Sequence, residues 1–328
     1  MTQYILRRLL VMIPTLFFIS ILVFTLIQLP PEDIVTSTIR DLEQQVGQGI
    51  TQEIIDKLRQ QFYLDEPMYK QYLRWIWGFV RGDFGYSLSH QAPVNKLIWE
   101  RLGYTVVIAV AAIMFTWIVA LPIGIYSALR QYSITDYFLT VVGLIGLATP
   151  NFMFALVLMY VGYEYMGISV GGLFSREYVG APWSIAKIID LMEHLWIPMV
   201  VVGTAGTAGM MRIMRANLLD ELKKPYVVTA RAKGVRPVKL ILKYPVRLAI
   251  NPFISTIGWM LPAIFSGSAI VSVVLNLPTT GPLLLKSLMN QDMYLAGSFI
   301  MILSVLTVIG TLISDILLAF TDPRIRLE

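Results

Sequence analysis

Cysteine is absent from this 328-residue chain, which excludes disulfides, thiolate metal sites and cysteine nucleophiles. Imidazole is nearly absent, with His90 and His194 the only histidines. Charge is scarce: Asp, Glu, Lys and Arg make up 14% of the residues, against 56% hydrophobic and a mean hydropathy of +0.67. Ordinary soluble domains are not this apolar, so the composition describes an integral membrane protein, and helices satisfy its backbone polar groups inside hydrocarbon.

The usual signs of catalysis are missing too. The nearest run to a phosphate-binding loop is Gly281 to Ser287, GPLLLKS, where Leu285 replaces the glycine that lets backbone amides cradle phosphate. It also falls in an expected exterior loop, away from cytosolic ATP. Ser266-Gly267-Ser268 lies in one apolar segment and His194 near the start of another, which is weak ground for an intramembrane serine protease. The apolar segments hold no paired carboxylates and no metal-ligand spacing. The chain is read as a non-catalytic membrane subunit with no cofactor of its own.

What is present in abundance is long hydrophobic runs. Residues 9–29, 104–129, 137–162, 195–211, 250–275 and 294–320 are six segments apolar enough to cross a hydrocarbon core of about 30 Å. Arg7 and Arg8 precede the first, as in a signal peptide, but its length and the lack of a small-residue cleavage pattern make it a retained helix. Only the last segment carries a formal charge, Asp315, near its cytoplasmic end, where a structural partner is expected rather than a proton relay.

Residues 212–247 organise the rest. This stretch holds ten of the 26 Lys and Arg residues against Asp220 and Glu221, and it lies between two apolar segments. Basic loops beside spans belong in the cytoplasm, which puts both termini there as well and accounts for the charge of +5 without nucleic acid. Within it, Pro225 and Pro237 bracket a short helix-compatible run, Tyr226 to Arg236, with Gly234 near its end. Its small residues Ala230, Ala232 and Gly234 leave room for another protein to approach, flanked by Arg231, Lys233 and Arg236. Binding of anionic lipid heads is the competing reading, but a surface-lying helix carries bulkier apolar residues than these.

The expected exterior segments are 30–103, 163–194 and 276–293. The second holds four acidic residues and two basic ones, in keeping with an outside location. In the first, Ile54, Ile55, Leu58 and Phe62 recur at helical spacing, and Trp75 and Trp77 end a second helix-compatible stretch, so a helical exterior cap is expected. Gly203, Gly206 and Gly209 fit close helix packing or a wall of a translocation path. Thr149-Pro150-Asn151 frees a carbonyl for a neighbouring helix or a water-filled cavity.

The run Tyr226-Val-Val-Thr-Ala-Arg-Ala-Lys-Gly234, followed by Arg247-Leu-Ala-Ile-Asn-Pro252, resembles the cytoplasmic signature loop of ABC importer permeases of the dipeptide, oligopeptide and nickel family. Leu64-Asp65-Glu66-Pro67, Gly82-Asp-Phe-Gly-Tyr-Ser87, Pro93-Val94, Arg101-Leu102 and the closing Asp322 to Arg326 are similar to that family as well, so the likeness covers nearly the whole chain. Two departures stand out. Val228 occupies a place where the family has Arg, and Ser272 with Pro278-Thr-Thr-Gly281 stands where it has Glu and Pro-Gly-Leu-Gly.

The resemblance implies an all-α membrane protein with six transmembrane helices of the importer-permease type and an exterior helical cap. Its three parts are residues 1–30, a first helix with a cytoplasmic N-terminus; 31–103, the exterior helical loop; and 104–328, a five-helix permease core with a coupling loop at 212–249. It implies a second, homologous permease, two cytoplasmic ATPases that hold the ATP and Mg, and an exterior solute-binding protein, with the chain itself multi-pass in the cell (inner) membrane and lipid around its spans. Tyr226, Thr229, Ala230, Arg231, Ala232, Lys233 and Gly234 are the residues expected to meet the ATPase. Ser255, Thr256, Ser266 and Ser268 on the fifth span are candidates for the path, with packing as the competing role. Peptides, nickel complexes and oligosaccharides all remain open as cargo. The rival class is an ATP-independent, ion-coupled secondary transporter, which usually places ionisable groups near the midplane. A scaffold that transports nothing is the third reading.

Overall fold

The computed structural model describes residues 2–29, 60, 65–87, 89–167 and 171–321, and the side chains of these except residues 2–5, 27, 166, 257–268 and 319–321. The expected helix around Ile54 to Phe62 and the tail Asp322 to Arg326 lie outside the described residues.

The elements in chain order are α1 (Thr2–Gln28), α2 (Met68–Val80), the two-residue strands β1 (Tyr86–Ser87) and β2 (Ala92–Pro93), α3 (Val94–Leu129), α4 (Ile134–Ala148) and α5 (Asn151–Met166). There follow α6 (Ile185–Leu222), α7 (Pro225–Ala232), α8 (Pro237–Lys243), α9 (Pro245–Ala249), α10 (Asn251–Val274), α11 (Thr280–Met289) and α12 (Met293–Thr321). Among the described residues the only pairing is antiparallel β1 with β2, Tyr86 opposite Pro93. The protein is an all-α membrane protein.

Leu6–Leu26, Val94–Leu129 and Met293–Leu318 are each long and apolar enough to cross a membrane. The expected third span is not one straight helix. Pro150 has no amide hydrogen to continue the ladder, and α4 and α5 meet there at a bend of 103°. The expected fourth span lies inside α6, a helix of 38 residues and so about 57 Å long, which extends well beyond a hydrocarbon core.

The chain divides into two compact units, one comprising residues 1–7, 105–278 and 307–328, the other 8–104 and 279–306. The first is built around α6. Met210, Met211, Met214 and Leu218 of α6 are buried against Ala120 and Ala128 of α3, Val246 and Ala249 of α9 and Phe253 of α10. Small residues allow the approach: a Cβ on Gly203 would lie 2.6 Å from the Phe115 ring and 3.0 Å from the Ala112 carbonyl oxygen. At the same crossing the Thr116 hydroxyl lies 2.8 Å from the Gly203 carbonyl and 2.9 Å from that of Ala112, tying α3 to α6. Gly209 of the same stripe has open space where a Cβ would stand, so the stripe is only partly a packing surface.

In the second unit Val23 and Phe24 of α1, Trp75 of α2 and Met301 of α12 form the core. The Phe24 ring sits 5.5 Å from Tyr72 edge-on, and the Ser20 and Tyr72 hydroxyls hydrogen-bond at 2.8 Å.

Alanine relieves a helical glycine of roughly 1 kcal/mol of conformational penalty, but only where its methyl fits. Gly203→Ala is therefore expected to lower the melting temperature of the purified chain in detergent through overpacking of about 1–3 kcal/mol. Gly209→Ala should leave it unchanged or raise it; equal shifts for the two would contradict the packing described.

Candidate functional site

The basic loop folds as three short helices, each begun by a proline. Pro225, Pro237 and Pro245 occupy first-turn positions, where a missing amide hydrogen costs nothing. Lys224, in an extended conformation, separates α7 from the end of α6. At the other end Gly234 has φ +74°, and two bonds close the helix: Gly234 N–H to the Arg231 carbonyl at 3.0 Å and Val235 N–H to the Ala230 carbonyl at 3.3 Å. This is the Schellman arrangement, with glycine in the left-handed position it favours. The apolar contact that completes it is present, because Val235 packs with Val227, Ala230 and Leu240. The helix therefore stops at Ala232, four residues short of the bracketed run.

The structure divides the expected docking residues. Arg231, Ala232, Lys233 and Gly234 are exposed and contiguous at the C-terminal end of α7, and Thr229 is exposed beside them with its hydroxyl on the Pro225 carbonyl at 3.0 Å. Ala230 is buried in the loop's own core. Tyr226 is half-buried and donates to Glu221 Oε2 at 2.5 Å; burial and that bond push its phenol above the ordinary tyrosine range. Tyr226 thus fixes α7 to the end of α6. Val228 stands exposed where the resembled family has Arg, and Val238 and Leu242 of α8 are exposed too, so the surface is apolar with a basic surround.

A brace just above this loop went unseen in the sequence. Arg215 of α6 donates to Asp136 Oδ2 at 2.8 Å, and the same oxygen accepts the Tyr132 amide at 2.9 Å. Asp136 is buried in the first turn of α4, where the helix dipole favours a carboxylate, and Ser133 caps that helix by accepting the Asp136 amide. Its partner lies 79 residues away in sequence. A small, mostly apolar cavity lined by Ser127, Thr140, Leu144, Ala208, Met211 and Arg212 adjoins Arg215, and the buried Ser127 hydroxyl has no protein partner.

In the other unit, Gly82 to Ser87 forms a clasp. Gly85 has φ +83°, and a Cβ there would stand 2.6 Å from the Tyr294 ring. Asn95 accepts the Phe84 amide at 2.9 Å and donates to the Gly82 carbonyl. The buried Asp292 receives Ser87 Oγ at 2.5 Å and Ser89 Oγ at 2.7 Å on one oxygen and the Leu295 amide on the other. His90 Nδ1 lies 2.9 Å from Ser89 Oγ, and burial, with Lys286 next, holds its pKa below the ordinary histidine value. Ser89 and His90 lie within hydrogen-bond reach of each other, but Asp292 accepts from the serines rather than orienting the imidazole, so the order of a catalytic triad is not present. Asp292 binds the serines directly and the histidine lies outside them, so the cluster is structural.

Of the candidate path residues, Thr256 is buried and donates to the Phe253 carbonyl at 2.7 Å, whereas Ser255 is exposed. The Ser266 and Ser268 side chains lie outside the described residues. No group of three His, Asp or Glu residues suited to a metal occurs among the described residues.

These features describe a polytopic helical membrane protein whose basic loop folds as three short helices with an exposed basic end. The family model for the binding-protein-dependent transport system inner membrane component matches residues 120–327, and the one for the N-terminal part of such membrane components matches residues 1–109. The chain belongs to this family, the permeases of ABC importers. It is similar to the oligopeptide transport system permease protein AppB of Bacillus subtilis, with 36% identity over 99% of this chain and 100% of the relative. It is 30% identical to the oligopeptide transport system permease protein OppB of Haemophilus influenzae over 99% and 100% of the two chains. With the dipeptide transport system permease protein DppB of Escherichia coli the identity is 29% over 99% of each. It is a multi-pass protein of the inner membrane, and membership of a binding-protein-dependent system gives the ion-gradient carrier no support.

Breaking the brace by Asp136→Ala is expected to cost about 1–3 kcal/mol, less than a fully buried pair because the Arg215 side chain is 29% exposed. Thermal melting in detergent reads this, and the double variant Asp136→Ala with Arg215→Met should recover part of the loss. A double variant no more stable than the single one would show that the pair is not the cause.

Proposed function

We propose that this chain forms half of the membrane path of an ATP-driven importer for dipeptides or oligopeptides. The other half is a second, homologous permease; two cytoplasmic ATPases bind ATP and Mg, and an exterior solute-binding protein delivers the cargo. Both termini are cytoplasmic, with residues 1–30 as the first helix, 31–103 as the exterior cap and 104–328 as the core. The observation that carries this reading is the exposed, rigidly closed end of α7, Arg231 to Gly234, at the foot of the 38-residue α6.

In operation, α7 seats in a cleft of one ATPase with Ala232 and Gly234 allowing close approach and Arg231 and Lys233 pairing with acidic groups of that subunit. Nucleotide-driven closure of the ATPases shifts α7. The shift passes to α6 because Tyr226 and the Asp136–Arg215 brace hold the joint stiff, so α6 and α7 move together as the path switches between its outward and inward openings. Ser255 is the exposed path candidate, with Thr256, Ser266 and Ser268 on the same helix. Peptide cargo is supported by the named functions of AppB, OppB and DppB.

The absence of cysteine permits a clean test. A single Ala232→Cys with a short thiol crosslinker in native membranes should capture a nucleotide-binding subunit, and Gly234→Glu should abolish that capture together with uptake. Capture of no ATPase would overturn the coupling role. For cargo, unlabelled dipeptides and oligopeptides should compete with uptake of a labelled peptide in cells expressing the importer. Competition by nickel complexes or oligosaccharides instead would remove the peptide assignment.

A further inference from the structure

We propose that α2 is an interfacial anchor that binds the headgroup region of the outer leaflet, tying the exterior segment to the bilayer independently of which cargo is carried. At about 100° per residue, α2 sorts its side chains into three sectors. Tyr72, Trp75, Ile76 and Phe79 face inward and pack with Phe24 and Met301. Tyr69, Leu73, Trp77 and Val80 form a second sector that is fully exposed, with Leu73 at 58% and Val80 at 72%. Lys70, Arg74 and Arg81 form the third, also exposed, directly beside the apolar one.

An apolar stripe bordered by cations is the pattern of a helix lying at a lipid surface, with Trp and Tyr at headgroup depth. Two observations select lipid over protein as the occupant. α2 is held at the end of a helix long and apolar enough to span: the Ser20–Tyr72 bond and Gln28 donating to Gln71 at 2.9 Å fasten it to the last turns of α1, which sets it at the depth where hydrocarbon gives way to headgroups. The Arg81 guanidinium lies 4.6 Å over the Trp77 ring, so a cation and an indole share one spot at the border of the two sectors, as phosphate and acyl chains require. Arg74 is paired with Glu66 at 3.1 Å on an exposed edge, which leaves Lys70 and Arg81 as the main headgroup contacts.

The test uses the complete importer in nanodiscs of phosphatidylethanolamine and phosphatidylglycerol, with partner subunits free of accessible cysteine. Single cysteines replace Tyr69, Leu73 or Val80 in one set and Lys70, Arg74 or Arg81 in another, each carrying a nitroxide. The apolar set should show an oxygen-to-nickel-complex collision ratio several-fold above that of the basic set, alternating with the helical period and unchanged on adding the binding protein. High nickel access at Leu73 and Val80 would mean a stripe in water. Low access to both reagents there, with immobilised spectra, would mean a protein cover. Either result overturns the anchor, and using three positions per set keeps the outcome independent of any one variant that assembles poorly.

Discussion

The close packing of α6 against α3 is the contact on which the rest depends. It is possible because glycine stands at Gly203 where any side chain would strike Phe115, and because Thr116 and Thr207 bond to the Gly203 carbonyl at the crossing. In hydrocarbon there is no hydrophobic gain from bringing helices together, so this fit and these bonds must hold the pair. Around the same helix gather α4, α5, α9 and α10, and its C-terminal end leads into the basic loop proposed to dock on an ATPase. A single continuous helix thus joins the packed core around Gly203 to the exposed basic end of α7.

The loop itself is stiff for local reasons. Three proline starts, a left-handed glycine at Gly234 and the small core of Val227, Ala230 and Leu240 leave α7 little freedom of its own. The Asp136–Arg215 pair and the Tyr226–Glu221 bond remove more at the junction with α4 and α6. Stiffness at this place is what the proposed coupling requires, because a soft joint would absorb a displacement applied to α7.

Much of this was legible in the residues. The prolines bracketed α7, and the motif residues named the family. The features that escaped are those set by tertiary packing. Ala230 reads as a small docking residue until Leu240 is folded over it, and no periodicity separates a buried alanine from an exposed one two positions on. Asp136 and Arg215 are ordinary loop-edge charges in sequence and become partners only when α4 lies along α6. Ser87 and Asp292 are separated by 205 residues and meet only in the fold. The bend at Pro150 was visible as a proline, but a proline fixes where a helix breaks and not the 103° at which its halves meet.

In the proposed mechanism α6 and α7 move as one body. Nitroxides at Ile189, exposed near the start of α6, and at Ala232 at the end of α7 report it directly in the assembled importer by pulsed electron spin resonance. Joint movement gives one distance between them, the same without nucleotide and with ATP trapped, while the distance from Ala232 to the partner permease changes. A shift in the distance between Ile189 and Ala232 on ATP binding would contradict it and place a hinge between the labels, at Pro198 within α6 or at Lys223 and Lys224.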